Sequence, residues 1–425
     1  MKEDVLQYIW KTQSFNKSHL KTTSGEAVTI IKQGSLNDDA GPDFSGARIK
    51  INNVEWAGDV EIHTKSSTWY AHKHHLDPAY EKVIMHIVWQ NDEVVLRPDG
   101  SEIPTIQLNS LLRIGWLHKY QELSSSLQVI PCQTFFAKVD DLHKHAAFNK
   151  ALIERLARKS QLVLNDITKL NGDWEQATIN LLFEYFGFKK NNEAFKQLAH
   201  VTSYSILKKL SSVKQIEAYL FGMAGLLKST NKISQYQQEL QEEFNWLQRK
   251  FAIKTTPMSA TWWKFMRLRP ANFPTLRIAQ LAALLYQRQH LFQSVLEVTP
   301  SMAEHFFKVN QSGYWKQHYH FGKEAKTTLK GLGEQSARGL SINVAAVLLV
   351  AYGETNGNKQ FKERAVNFLE AIKPEKNIIT RSWQHLGIDL QNAAESQGAI
   401  ELYNIYCKQK RCLSCNIGNQ ILQGK

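Results

Sequence analysis

Negative charge is what one long stretch of this sequence lacks. No carboxylate occurs between Glu243 and Glu297, a span that carries Arg249, Lys250, Lys254, Lys264, Arg267, Arg269, Arg277 and Arg288. Across the 425 residues, 52 Lys and Arg outnumber 39 Asp and Glu, for a formal net charge of +13. A field of that sign disfavours a cationic partner and suits a polyanion, whose binding releases counterions. Trp246, Trp262, Trp263 and Phe273 lie among the same charges. Basic groups interleaved with aromatics fit phosphate contacts plus base stacking, and a plain solvated basic face fits the charge as well. Lys264, Arg267, Arg269 and Arg277, around "KFMRLRPANFPTLR", are the candidate nucleic-acid contacts. Pro270 and Pro274 interrupt a helical pattern there, and Thr275 can cap a helix whose N-terminus would attract phosphate.

Long apolar runs are also missing. None approaches the roughly 18 residues of a membrane span, and "MKEDVLQYIWKTQ" is too charged for a secretory signal. The expectation is a soluble cytoplasmic protein with no membrane partner. Glycine-rich nucleotide loops are lacking too, since "GLGEQSARG" follows no strand pattern. Cysteine is scarce: Cys132 stands alone, and Cys407, Cys412 and Cys415 crowd into "YCKQKRCLSCNIG". Crowding of that kind in a cytosolic chain favours metal over disulfide. Four thiolates suit Zn²⁺ or an iron–sulfur cluster, with Lys408, Lys410 and Arg411 offsetting the negative charge. The alternative is cysteine packed as a small hydrophobe.

What is present divides the chain in two. Residues 1–120 read as helix, three strands, crossover, buried strand and hairpin, an α/β or α+β domain with a mixed sheet. Residues 121–425 show apolar spacing of helical period and read as a larger all-α domain closed by the cysteine cluster. Seven segments carry that period, from "HAAFNKALIERLARKSQLVLNDI" to "FKERAVNFLEAI".

The chemistry concentrates in "GPDFSGARIKINNVEWAGDVEIHTK". Val60 and Ile62 supply an apolar strand face, while Asp59, Glu61, His63 and Lys65 line the other. A turn at Asn52-Asn53 pairs residues whose numbers sum to about 105, which sets Asp43 opposite residue 62, give or take one for a bulge. Asp43 then lies beside Glu61 and His63. Carboxylates gathered so closely repel unless a cation sits between them, and Mg²⁺ or Mn²⁺ takes such oxygen ligands. Next comes "YAHKHHLDPAY", whose His72, His74, His75 and Asp77 suit a transition metal or a phosphate-facing rim. Asp77 serves equally well as a cap for the turn at Pro78. His86, inside the apolar "VIMHIVW", reads foremost as a core histidine.

Pro42-Asp43 followed after a hairpin by Glu61-Ile62-His63 resembles the PD-(D/E)xK nuclease superfamily. That resemblance implies a restriction-endonuclease-like αβββαβ core with metal ligands at Asp43 and Glu61. Glu3 or Gln7 would be the accessory residue on the first helix. The lysine of that motif is His63 here, and Lys65, two positions on, is the candidate replacement. The whole chain also resembles an uncharacterised bacterial family known only as a domain of unknown function. "HKHHLDPAYEKVIMHIV" and "RLRPANFPTLRIAQLA" contribute to that likeness. The functional expectation is a divalent-metal-dependent nuclease acting on DNA at Asp43 and Glu61, with Asp59, His72, His74 and Asp77 as accessory groups. The alternatives are a catalytically inactive nucleic-acid-binding or scaffold protein, and a metal-dependent hydrolase of a small phosphorylated substrate.

Overall fold

The computed structural model describes residues 1–37, 39–228 and 233–424. It forms two compact units: Met1–Ala147 together with Tyr403–Lys425, and Phe148–Leu402. These bounds differ from a division at residue 120, because the chain up to 147 and the C-terminal segment with its three cysteines fall in the same compact unit as the sheet.

In the first unit, helix α1 (Glu3–Thr12) buries Val5, Leu6, Ile9 and Trp10. Burial at this spacing anchors one helical stripe. The Trp10 indole donates to the Gln33 carbonyl at 3.0 Å and stacks on Phe15. The mixed sheet contains β1 (Val28–Lys32), β2 (Ser35–Leu36), β3 (Phe44–Ile51), β4 (Val54–Lys65), β5 (Val83–Gln90) and β6 (Thr105–Gln107). Its order is β1-β3-β4-β5-β6, with β2 paired to β3. β1, β3 and β4 are antiparallel, whereas β4, β5 and β6 run parallel.

The β3–β4 hairpin turns where the paired asparagines place it, and Asn52 takes the left-handed φ of 50°. Ile51 faces Val54 and Ala47 faces Gly58, so the sum of 105 holds along the hairpin until a bulge brings Phe44 opposite Val60. A side chain at Gly58 would meet the Lys82 carbonyl at 2.4 Å and Ile84 at 2.5 Å, so only glycine lets β5 start this close to β4. The crossover between these strands holds the short helix α2 (Thr68–Ala71) and two 3-10 turns, His74–Leu76 and Pro78–Tyr80. β5 is buried along nearly its whole length, as a parallel strand covered on both faces should be. The hairpin expected around "RPDGS" shrinks to one antiparallel bridge, Leu96 with Glu102, and the following segment pairs parallel to β5 instead.

The second unit is helical. Two periodic stretches break where a side chain from elsewhere in the sequence captures the backbone. "AFKQLAHVTSYSILKKLS" divides into Asn192–Val201 and Tyr204–Leu207, with extended backbone at Thr202 and Ser203 and the Ser203 amide donating to the Tyr219 hydroxyl. "TLRIAQLAALLYQRQHLFQSVL" ends one helix at Gln287 and restarts at Leu291, whose amide donates to the Glu175 carboxylate at 2.7 Å. A helical run that the periodicity missed, Glu334–Thr355, is long and apolar enough to cross a membrane, yet 72% of its most apolar window is buried inside the fold. It carries a π turn at Ser341–Ala345.

Inside this unit Glu217 is fully buried and accepts from Tyr236, Ser312 and Trp315 at 2.5, 2.8 and 3.1 Å. Burial pushes its carboxyl up to about 7, against which the three donors act. A folded-state value above the unfolded one means stability is greatest below pH 4.5 and is lost as pH rises through 7, by up to about 3 kcal/mol. Glu217→Gln is therefore expected to gain on the wild type between about pH 5 and 8 in denaturant titrations. A difference that stays flat with pH would contradict this.

Candidate metal centre

Asp43 is placed by a turn that precedes β3. Gly41 adopts a φ of 109°, Asn37 donates its amide to the Asp43 carbonyl at 2.8 Å, and the Asn37 side chain donates to the Pro42 carbonyl. The carboxylate that results is held at both oxygens. Gln7 of α1 donates to Oδ1 at 2.7 Å and the Ile62 amide donates to Oδ2 at 3.0 Å. The Asp43 amide in turn donates to Glu61 Oε2 at 3.1 Å. The hairpin register thus brings Asp43 onto Glu61 as the turn geometry requires.

Glu61 is buried, and its other oxygen, Oε1, lies 3.4 Å from His63 Nε2 and 3.5 Å from His74 Nε2. Both of those nitrogens are buried and make no hydrogen bond among the described residues. His63 Nδ1 pairs with His86 Nε2 at 2.9 Å, so β5 fixes the ring of His63 from behind. His74 stacks on Tyr80 with ring centroids 3.8 Å apart, and Trp69 packs against His74, His86 and Tyr80. Lys73 has a left-handed φ of 62°. That one reversal interrupts the helical path after α2 and brings His72 and His74 to the same side. Ligand atoms of His63, His72 and His74 all lie within 4.8 Å of one another, the single such trio among the described residues.

The electrostatics ask for a cation. Burial, then the neighbouring Asp43 and Glu3, push the Glu61 carboxyl up to about 9, partly countered by the Asp43 amide. Burial also raises Asp43 and Glu3, the latter further through Asp43. Burial and the surrounding imidazoles lower His63, and burial with His72 lowers His74 to about 4, so these rings are neutral and free to coordinate. Three carboxyl groups beside three imidazoles form a donor set for a divalent ion, in which imidazole favours Zn²⁺ or iron over Mg²⁺.

The other expected site residues separate. Lys65 is exposed at the end of β4 and lies 3.6 Å from Asp92, away from the histidines. Asp59 accepts from the Gly46 amide at 3.1 Å and braces the bulge. Asp77 caps the Pro78–Tyr80 turn through the Ala79 amide, close enough to favour a proton on His74. His75 packs on Tyr70. Among the basic candidates, Lys264, Arg267 and Arg269 are exposed, but Arg277 is buried. Its guanidinium lies over the Phe188 ring and donates to Gln280 and Asn272, a packing role instead of an exposed phosphate contact. The Thr275 hydroxyl donates to the Tyr319 carbonyl, so it is spoken for within the fold. Tyr80 and the positioning part of His86 carry no periodic or spacing signal that the sequence could reveal.

A mixed-sheet unit bearing a histidine–carboxylate centre, joined in one chain to a helical unit, is the class of protein that fold and site define. The chain belongs to the family described as "Protein of unknown function (DUF2851)", which matches residues 3–378. No curated protein and no solved structure matches it.

Proposed function

We propose that this protein is a metal-dependent phosphodiester hydrolase, a nuclease acting on DNA. Its ion would be held by His63, His72, His74 and Glu61, not by Asp43 and Glu61 alone. The observation that carries the reading is the convergence of these donors with two unpartnered imidazole nitrogens aimed at one carboxylate oxygen. An ion there would polarise a phosphoryl oxygen and lower the pKa of a bound water. Asp43, clamped by Gln7 and Ile62, fixes Glu61 through its own amide. His86 holds the tautomer and orientation of His63, as partners behind a metal ligand do. The order α1, β1, β3, β4, α2, β5 supports a nuclease-like core, since it follows αβββαβ with β2 inserted. The exposed Lys264, Arg267 and Arg269 favour a polyanionic substrate.

A small-substrate hydrolase is the second reading. It is favoured by a cavity of about 280 Å³ beside His74, lined also by Trp69, Tyr80 and Arg97. The deciding experiment is cleavage of labelled single-stranded, duplex and branched DNA with Mg²⁺, Mn²⁺ or Zn²⁺. Mn²⁺- or Zn²⁺-dependent cutting that disappears in His72→Ala and His74→Ala is the expected result. DNA binding with no cutting under any condition would leave an inactive scaffold. Hydrolysis of bis(p-nitrophenyl) phosphate without DNA affinity would favour the second reading. Reversing charge at Lys264, Arg267 and Arg269 together is expected to weaken DNA binding. The log–log slope of affinity against salt should fall by about one unit for each phosphate no longer neutralised. Arg277→Ala should instead lower thermal stability.

A further inference from the structure

Cys132, Cys407, Cys412 and Cys415 are distant in sequence but belong to one compact unit. All four are buried and none forms a disulfide. Every pair among them lies within electrostatic reach, since Cys132 feels Cys412 and Cys415, Cys407 feels the other three, and Cys412 feels Cys415. The segment that brings three of them together is tightly specified. A π turn over Tyr403–Cys407 ends one helix, Lys410 takes a left-handed φ of 56°, and the helix Asn416–Gln423 starts at Cys415. A side chain on Gly418 would meet the Cys412 carbonyl at 2.1 Å, so that helix presses directly on the cysteine turn. Lys410, whose charge favours the Cys407 and Cys412 thiolates, donates to the Ser126 carbonyl on the segment leading to Cys132.

Spacing separates the two metal chemistries that four cysteines allow. Bonds of about 2.3 Å to one tetrahedral Zn²⁺ put sulfurs roughly 3.8 Å apart. Among the described residues only the histidine trio gathers three ligand atoms within 4.8 Å, so no three of the four sulfurs are drawn as close together as one Zn²⁺ would hold them, and a centre of several irons suits them better. We infer that Cys132, Cys407, Cys412 and Cys415 ligate an iron–sulfur cluster, a centre separate from the histidine site, that ties the C-terminal segment to the chain around residue 132. The cluster supplies the cross-link that four buried thiols lack on their own, and Lys410 balances part of the charge of the thiolates that would hold it.

The test is anaerobic purification of the full chain followed by iron, acid-labile sulfide and zinc analysis with visible absorption. About two or four irons per chain, with as many acid-labile sulfides, are expected for a cluster on four cysteines. A broad absorption that bleaches with dithionite is expected with them. Cys412→Ser should lose the absorption and most of the iron, while His72→Ala should keep both. Should Cys412→Ser prove insoluble, wild-type protein stripped with a chelator and reconstituted with Fe²⁺ and sulfide must regain the absorption. Stoichiometric zinc without sulfide, or four thiols that titrate freely in native metal-free protein refusing reconstitution, would overturn the inference.

Discussion

Glu61→Ala is expected to lower metal-dependent DNA cleavage by roughly 10³-fold, with the fold retained. The size follows from what meets at this side chain. One oxygen accepts the Asp43 amide, and the other faces the unpartnered Nε2 atoms of both His63 and His74. Alanine removes the carboxylate that touches both imidazoles and frees the turn that carries Asp43. Folding should tolerate the loss, because the deleted carboxyl sits buried among other carboxyl groups, where its ionised form is disfavoured by burial and by Asp43 and Glu3. Glu61→Gln keeps an acceptor for the Asp43 amide but loses the charge that balances an ion, so its metal content should fall nearly as far. Lys65→Ala supplies the contrast. Lys65 is solvent-exposed and pairs with Asp92, so its removal should change the rate by no more than about threefold. Single-turnover kinetics and metal analysis on the three variants read this directly. A Lys65→Ala loss equal to that of Glu61→Ala would mean that the lysine acts at the reacting centre and that the histidine-centred reading is wrong.

Trp315→Ala should cost about 4 kcal/mol in the helical unit, at the upper end of large-to-small core changes. Trp315 is fully buried, stacks on Phe221 with centroids 5.1 Å apart, and packs edge-on to Tyr314 and Phe321. Its indole also donates to Glu217. Truncation therefore opens a cavity and removes one of the donors that make a buried carboxyl tolerable, and the two costs reinforce each other. Trp315→Phe keeps most of the packing and loses only the donor, so it should cost about a third as much. Urea titration of both variants followed by far-ultraviolet circular dichroism gives the comparison. A loss below about 1 kcal/mol for Trp315→Ala would show that the cluster around Glu217 repacks freely.

Much of the candidate site could be read before any fold was known. Alternation along Asp59–Lys65 marks a strand with one chemically loaded face, and two adjacent asparagines mark its turn. Together they set Asp43 beside Glu61, because a tight hairpin converts sequence position into register arithmetically. The helical periods likewise located most helices of the second unit. They failed where a side chain remote in sequence intervened, as Tyr219 does at Ser203 and Glu175 at Leu291. The run Glu334–Thr355 was missed for a different reason. It is apolar on nearly all sides over Ala345–Ala351, so no stripe stands out.

The sequence by itself determined the sheet-then-helix layout, the β3–β4 register, the Asp43–Glu61 adjacency and the cluster of three C-terminal cysteines. All of these depend on residues close in the chain or joined by one short turn. Tertiary structure decided which of the histidines meet, since a left-handed Lys73 in the crossover turns His72 and His74 toward His63. It also sent Lys65 to Asp92, buried Arg277 on Phe188, and brought Cys132 to the other thiols. The physical reason is the same in each case. Period and turn chemistry fix a side chain's direction relative to its neighbours, whereas the path of a crossover and the packing of separate segments fix what it finally faces.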